Sequence, residues 1–217
     1  MRRLKWVSIV AVGLLISLSG CKIVKNPDPD SAGQADANLT DEARMAALAR
    51  DIWDTDVLPT VAEHLVPIDD LRVSLAQNEQ AAGQSHGLRP EGEANPWNFA
   101  VSGSGSIVEA NTTSRAAKLQ VDTTGDGAAD VTVQLGPVIR GTAIRDAMPF
   151  LIFTDFRDQI EFAKLAGGLN AMAHERLSLP EGDIIGRTVS FEGVFTYRDL
   201  ASAPEVVPTA LSFEAPE

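Results

Sequence analysis

Helices first, then antiparallel strands closing into a barrel with one main helix between its third and fourth strands: this α+β plan is what the 217-residue sequence predicts. Three observations carry it. Residues 40–87 place apolar side chains at helical spacing, residues after Asn95 alternate apolar with polar, and that alternation is interrupted once by a long helical pattern. The stretch Val131 to Asn170 holds the plan together, with an alternating strand (Val131, Val133, Leu135), a Gly136-Pro137 exit, two isolated arginines and then the helix.

In chain order, Arg2, Arg3 and Lys5 form a positive start, and Trp6 to Leu18 is an apolar run too short for a comfortable membrane span. It ends in Leu18-Ser19-Gly20-Cys21, the layout of a bacterial lipobox, so residues 1–20 read as a lipoprotein signal peptide and Cys21 as the lipidated residue. Lipidation accounts for the only cysteine, whereas an ordinary secretory signal with a chance cysteine leaves it unexplained. Several acyl chains anchor a protein far better than one. The expected location is therefore periplasm-facing, with the chain anchored to the inner or the outer membrane. Arg2-Arg3 lacks the wider context of a twin-arginine signal, which points to the general export route. Lys22 stands where an acidic residue would suggest retention in the inner membrane.

Residues 21–39 then read as the lipidated cysteine and a Pro-, Asp- and Ala-rich tether. Thr40 is placed to cap a helix with Asp41 and Glu42 in its first turn and Met45, Leu48 and Ile52 on one side. Pro59 suits the first turn of a second helix with Val61 and Leu65. A third follows Pro67, carrying Ile68, Leu71 and Leu75 and ending at Gly83 or Gly87. Residues 40–87 are thus expected to form a helical domain, separated by the Gly/Pro-rich passage 87–96 from a barrel domain over 95–217.

Within the barrel region, Trp97 to Asn111 predicts one long strand whose apolar parity switches, with a bulge expected at Gly103 or Gly105. Ala117, Leu119 and Val121 form the second strand and Val131 to Leu135 the third. A helix capped by Thr154 or Asp155 follows, burying Phe156, Ile160 and Ala163, with Gly167-Gly168 marking close packing or a break. Val189 to Tyr197 and Val207 to Phe213 complete the set, Pro208 suggesting an edge. Three strands, a helix and two strands is the order of an OB-type barrel, whose ligand surfaces are usually the second and third strands and the loops joining strands one to two and four to five. Fold alone does not fix function.

The segments GPVIRGTAIRDAMPF and FTDFRDQIEFA, together with the lipobox, Trp53 and Pro59, resemble a bacterial family of predicted periplasmic lipoproteins built on a domain of unknown function. The resemblance runs over nearly the whole chain. It implies a small helical domain paired with an OB-like barrel, and genes that tend to lie beside sugar ABC-transporter genes. No activity comes with it. Components of such a transporter are therefore the partners that the resemblance suggests.

Composition narrows the function classes. Beyond the signal segment, 15 Lys and Arg face 30 Asp and Glu, a formal charge of −15 that repels polyphosphates, so nucleic acid is not an expected partner. Sequence patterns for a nucleophile elbow, a zinc protease helix or a phosphate loop are missing, and a non-enzymatic role is expected. His64, His86 and His174 are spread without metal-ligand spacing, and no cofactor is expected. Trp53 and His64 are read as core rather than as ligand contacts.

Three groups remain as candidates. Asp122, Thr124, Asp126 and Asp130, with Gly127 at the sixth position, match part of a calcium loop. Val133 stands where its bidentate acid belongs, so a plain hairpin turn is favoured over calcium. Arg140, Arg145 and Asp146 offer a grip for a carboxylate or phosphate, with a structural ion pair as the blander alternative. Gln159 and Asn170 offer neutral amides to a sugar, or else satisfy loop backbone. Two roles result: an accessory lipoprotein of envelope transport, or a small-ligand binder whose pocket gathers Arg140, Arg145, Gln159 and Asn170 beside Phe150 or Trp97.

Overall fold

A computed structural model describes residues 40–90 and 95–214. The signal segment, Cys21 and the tether expected over 1–39 lie outside them. The described residues belong to one compact unit.

The chain enters helix α1 (Asp41–Ile52) at Thr40, whose side-chain oxygen accepts the Ala43 amide at 3.2 Å as the sequence predicts. A π-helical turn over Trp53–Val57 leads into α2 (Leu58–Glu63), with Pro59 in the first turn, where an absent N–H loses no hydrogen bond. After the short strand β1 (Val66–Pro67) comes α3 (Ile68–Gln77). The single helix expected from Pro67 to Gly83 or Gly87 is in fact two. Asn78 is extended, at φ −163°, and its carboxamide accepts the Ala81 amide at 2.9 Å, ending α3 and starting α4 (Glu79–His86).

The strands are β2 (Gly87–Leu88), β3 (Asn98–Asn111), β4 (Ala116–Asp122), β5 (Val131–Pro137), β6 (Thr188–Thr196) and β7 (Glu205–Phe213). Five of them close in the order β3–β4–β5–β7–β6 and back to β3. Every pairing in this ring is antiparallel except β5 with β7, where Thr132 faces Glu205 and Val133 faces Val206. This is the OB-type barrel that the strand order predicts. Its hub is β3, paired with β6 over Asn98–Ser106 and with β4 over Ser106–Asn111.

The bulge in β3 falls between Ile107 and Glu109, past the glycines expected to hold it. Those glycines permit close approach instead: a Cβ at Gly105 would sit 2.2 Å from the Asp122 carbonyl oxygen. Pro208 is likewise not at the outer edge of a sheet. It stands at a register shift opposite Gly193, on the part of β7 beyond its pairing with β5.

Between β5 and β6 lie a short helix α5 (Ala143–Ala147), which the sequence does not announce, and the main helix α6 (Gln159–Glu175). The cap of α6 is Asp158 rather than Thr154 or Asp155, its carboxylate accepting the Ile160 and Glu161 amides at 2.9 and 2.8 Å. The buried face is that of Leu165, Leu169, Met172 and Ala173, and Ala163 and Ile160, expected to be buried, are exposed, Ile160 by 65%.

Alternation along β3, β6 and β7 produces two apolar cores back to back. Phe99, Val101, Phe195 and Val206 face the barrel interior, where Ile68, Leu71 and Leu75 of α3 join them. Ala100, Val194 and Val207, on the opposite parity, pack with α1, α2, α5 and α6. The helices of residues 41–86 thus divide between the two cores. At the second core, Gly168 of α6 lets α1 come near: a Cβ there would lie 3.0 Å from that of Ala49.

Candidate functional site

A cleft of about 360 Å³ opens between α3, the turn before β5, the segment 140–143 and the loop joining β6 to β7. That volume lies in the range of small-ligand sites, roughly 300 to 1,000 Å³. Ile68, Leu71, Leu75 and Phe195 supply apolar lining, and the charged groups are Arg72, Arg140 and Arg198 with Asp130, Asp199 and Glu205, beside Gln134 and Tyr197.

Each wall is fixed by short-range chemistry. Arg72 ties α3 to the turn before β5, donating to the Asp130 carboxylate at 2.7 Å and the Thr123 hydroxyl at 2.8 Å. Asp130 also accepts the Thr123 and Thr124 amides, both at 3.1 Å. On the next strand the Gln134 carboxamide holds Arg140 by its backbone, accepting its N–H at 2.8 Å and donating to its carbonyl at 3.1 Å. Gly141 follows at φ +86°, a left-handed turn that suits glycine. In the β6–β7 loop, the Asp199 carboxylate accepts the Ala201 and Ser202 amides at 2.9 and 2.8 Å. Hydrogen bonds from Ser202, then the Arg198 charge, hold its pKa below the usual carboxylate range.

Tyr197 sits at the start of that loop, its amide bonded to the Trp97 carbonyl at 2.8 Å. Its hydroxyl is shielded from solvent, with the Glu79 carboxylate of α4 nearby. Burial, reinforced by the negative charges of Glu79 and Asp199, pushes its pKa up to about 12.

The candidate residues do not converge. Arg140 lines the cleft. Arg145 and Gln159 line a different hollow, of about 620 Å³, with Asp146 and Phe162. There Arg145 is engaged within the fold. It pairs with Asp146 at 2.6 Å, donates to the Phe162 carbonyl at 3.1 Å and lies 3.9 Å above the Phe162 ring. Asp146 is further bound by the Thr142 hydroxyl. Asn170 is buried and donates to the Gly141 carbonyl at 3.0 Å, satisfying loop backbone. Trp97 is covered by the Arg89 guanidinium at 3.6 Å, and Phe150 is 40% exposed; neither lines the hollow or the cleft.

The stretch Asp122 to Asp130 is a turn organised by its own carboxylates. Asp122 accepts the amides of Thr124, Gly125 and Gly127 at 3.0, 2.7 and 2.6 Å and the Thr124 hydroxyl at 3.2 Å. These bonds, the Gly127 amide foremost, hold its pKa below the usual range. Asp126 accepts the Ala128 amide at 2.8 Å. Trp53 is fully buried in the second core, and His64 faces the Thr60 carbonyl at 2.9 Å.

What the sequence reading passed over is Arg198 and the pairing of α3 with the β6–β7 loop. The loop was legible as the four-to-five connection of an OB-type barrel. That α3 lies across from it depends on tertiary contacts, the packing of Ile68, Leu71 and Leu75 on the barrel core and the tie of Arg72 to Asp130, which no local pattern encodes.

A family model described as "Predicted periplasmic lipoprotein (DUF2291)" matches residues 11–212. Among solved structures, an OB-fold protein from Thermotoga maritima aligns with a TM-score of 0.60 at 23% identity, covering 78% of this chain and 98% of that one. That likeness shows the fold. Two OBodies bound to hen egg-white lysozyme align at TM-scores of 0.25 and 0.26, with 17% and 16% identity, each over 55% of this chain and 81% of the other. No curated protein matches the chain.

Proposed function

We propose that this chain, which belongs to the family of predicted periplasmic lipoproteins, is a non-enzymatic binding protein that holds a small solute in the cleft between α3 and the β6–β7 loop. The observation carrying this reading is the cleft itself: a concave, partly apolar site of about 360 Å³ whose walls are pre-set by the Arg72–Asp130 pair, the Gln134–Arg140 backbone bonds and the Asp199 loop cap. Pre-formed walls reduce the ordering that binding must impose.

The direct test is a solute screen by thermal shift on the mature lipoprotein in phospholipid nanodiscs, run beside Ala203→Trp. Ala203 is an exposed loop residue of the cleft, so tryptophan there occupies the site without entering a core. A solute that raises the melting temperature of the parent and not of the variant supports the reading. Silence across the screen sinks it.

A second reading makes the protein an accessory of a sugar ABC transporter. The exposed side chains of Phe150, Ile152, Phe153 and Ile160, all in the approach to α6 or its first turn, favour it, because exposed apolar surface suits a protein partner. Co-purification of a transporter component with Ala203→Trp, lost on Phe153→Asp, would support this role.

A further inference from the structure

The polar groups of the cleft are unequal in what they have left to offer. Gln134 is the only carboxamide among the described lining residues, and both of its ends are engaged by the Arg140 backbone. A neutral sugar, which needs such amides, finds few of them here. Of the acids, Asp130 is paired with Arg72 and Asp199 caps its own loop, leaving Glu205 where β7 begins. Arg72 is already held by Asp69 and Asp130.

The guanidinium groups of Arg140 and Arg198 are in a different position. Both residues are exposed, both line the cleft, and neither forms an ion pair among the described residues. On a mature chain of formal charge −15, the cleft lining is balanced, with Arg72, Arg140 and Arg198 against Asp130, Asp199 and Glu205, which makes it far less repulsive to an anion than the chain as a whole. Guanidinium recognises carboxylate by paired N–H donors, and Leu71, Leu75 and Phe195 offer hydrophobic contact nearby.

Resting on the binding reading above, we infer that the ligand of this cleft is a small organic carboxylate with an apolar body, its head taken by Arg140 and Arg198 and its body by the floor of Leu71, Leu75 and Phe195.

The test is calorimetric titration of the mature lipoprotein in zwitterionic nanodiscs, with empty nanodiscs as blank, against 3-phenylpropionate, 3-phenylpropionamide and acetate. The first keeps both head and body, the second removes the charge and the third removes the body. The acid is expected to bind at least tenfold more tightly than either analogue. Arg140→Gln with Arg198→Gln should lose at least tenfold for the acid and bring it to the level of the amide, with the melting temperature unchanged. Equal binding of acid and amide, or an acid affinity indifferent to the two substitutions, overturns the inference. If the acid gives no heat while the wider solute screen yields a neutral ligand displaced by Ala203→Trp, the carboxylate assignment fails and the binding function stands. If that screen is silent too, both fail.

Discussion

At the scale of single residues, Tyr197 gives the cleanest reading, because it is the only tyrosine in the chain. An alkaline titration followed by tyrosinate absorbance therefore reports on it alone. With its pKa pushed up to about 12, against about 10 for an unperturbed phenol, half-ionisation is expected near pH 12 in the folded protein and near 10 in denaturant. A folded value of 10 would show that the hydroxyl is solvated. Cys21 carries a second residue-level prediction: Cys21→Ser should abolish labelling by fatty acid and leave an unprocessed chain, and unchanged labelling would contradict the anchor. The same scale shows what was legible in sequence. Thr40 as a cap follows from its own chemistry and its neighbours, as does an Asp-Gly turn between alternating strands. Arg145 and Arg140 look alike in sequence, yet one is stacked on Phe162 and paired with Asp146 while the other stands at the cleft. The neighbouring Asp146 and the distant Phe162, by its ring and its carbonyl, separate them.

At the scale of elements, the two adjacent glycines of α6 have opposite surroundings, and substitution should tell them apart. A Cβ at Gly167 meets nothing within 4 Å, so Gly167→Ala should stabilise by about 0.5 to 1 kcal/mol through helix propensity. A Cβ at Gly168 would lie 3.0 Å from that of Ala49 and 3.1 Å from the Met45 carbonyl oxygen, and Gly168→Leu should cost about 1 to 3 kcal/mol by forcing α1 away. Denaturant midpoints of the two variants moving in the same direction would contradict the α1–α6 packing. Sequence announces that the pair is unusual without saying which partner is close. Helix boundaries were harder to read for a related reason. The start of α6 differs by three or four residues from the caps expected, because Thr154 and Asp155 fall in a 3-10 turn (Phe153–Asp155) and Asp158, a third capping residue, is the one that reaches the free amides. The buried stripe is set by Leu165, Leu169 and Met172, and at 3.6 residues per turn Ile160 falls on the opposite face, towards solvent.

For the molecule as a whole, the shifted groups set a window of pH stability with two different edges. Asp41, Asp122, Asp158 and Asp199 are all held below the ordinary carboxylate range, Asp41 chiefly by its hydrogen bond from Arg157 and the others chiefly by hydrogen bonds from backbone or Ser202. A depressed acid contributes stability above its unfolded value and loses it as pH falls through the folded one, so the melting temperature should drop below about pH 4. Tyr197, with its pKa raised, works in the other direction, and its contribution declines as pH rises from about 10 towards 12. A melting profile flat from pH 2 to pH 5 would contradict the acidic edge. The closure of the barrel also bears on the order in which the protein can come into being. β3 is sealed by β6, Asn98 opposite Thr196, and the side of β5 away from β4 is closed by β7. A chain threaded N-terminus first through an export channel delivers β3 early and these two closing strands last. Until residue 213 has emerged, the segments already across have no completed core to fold around. They remain a thread that the channel can pass, and a substrate that any waiting protease can cut.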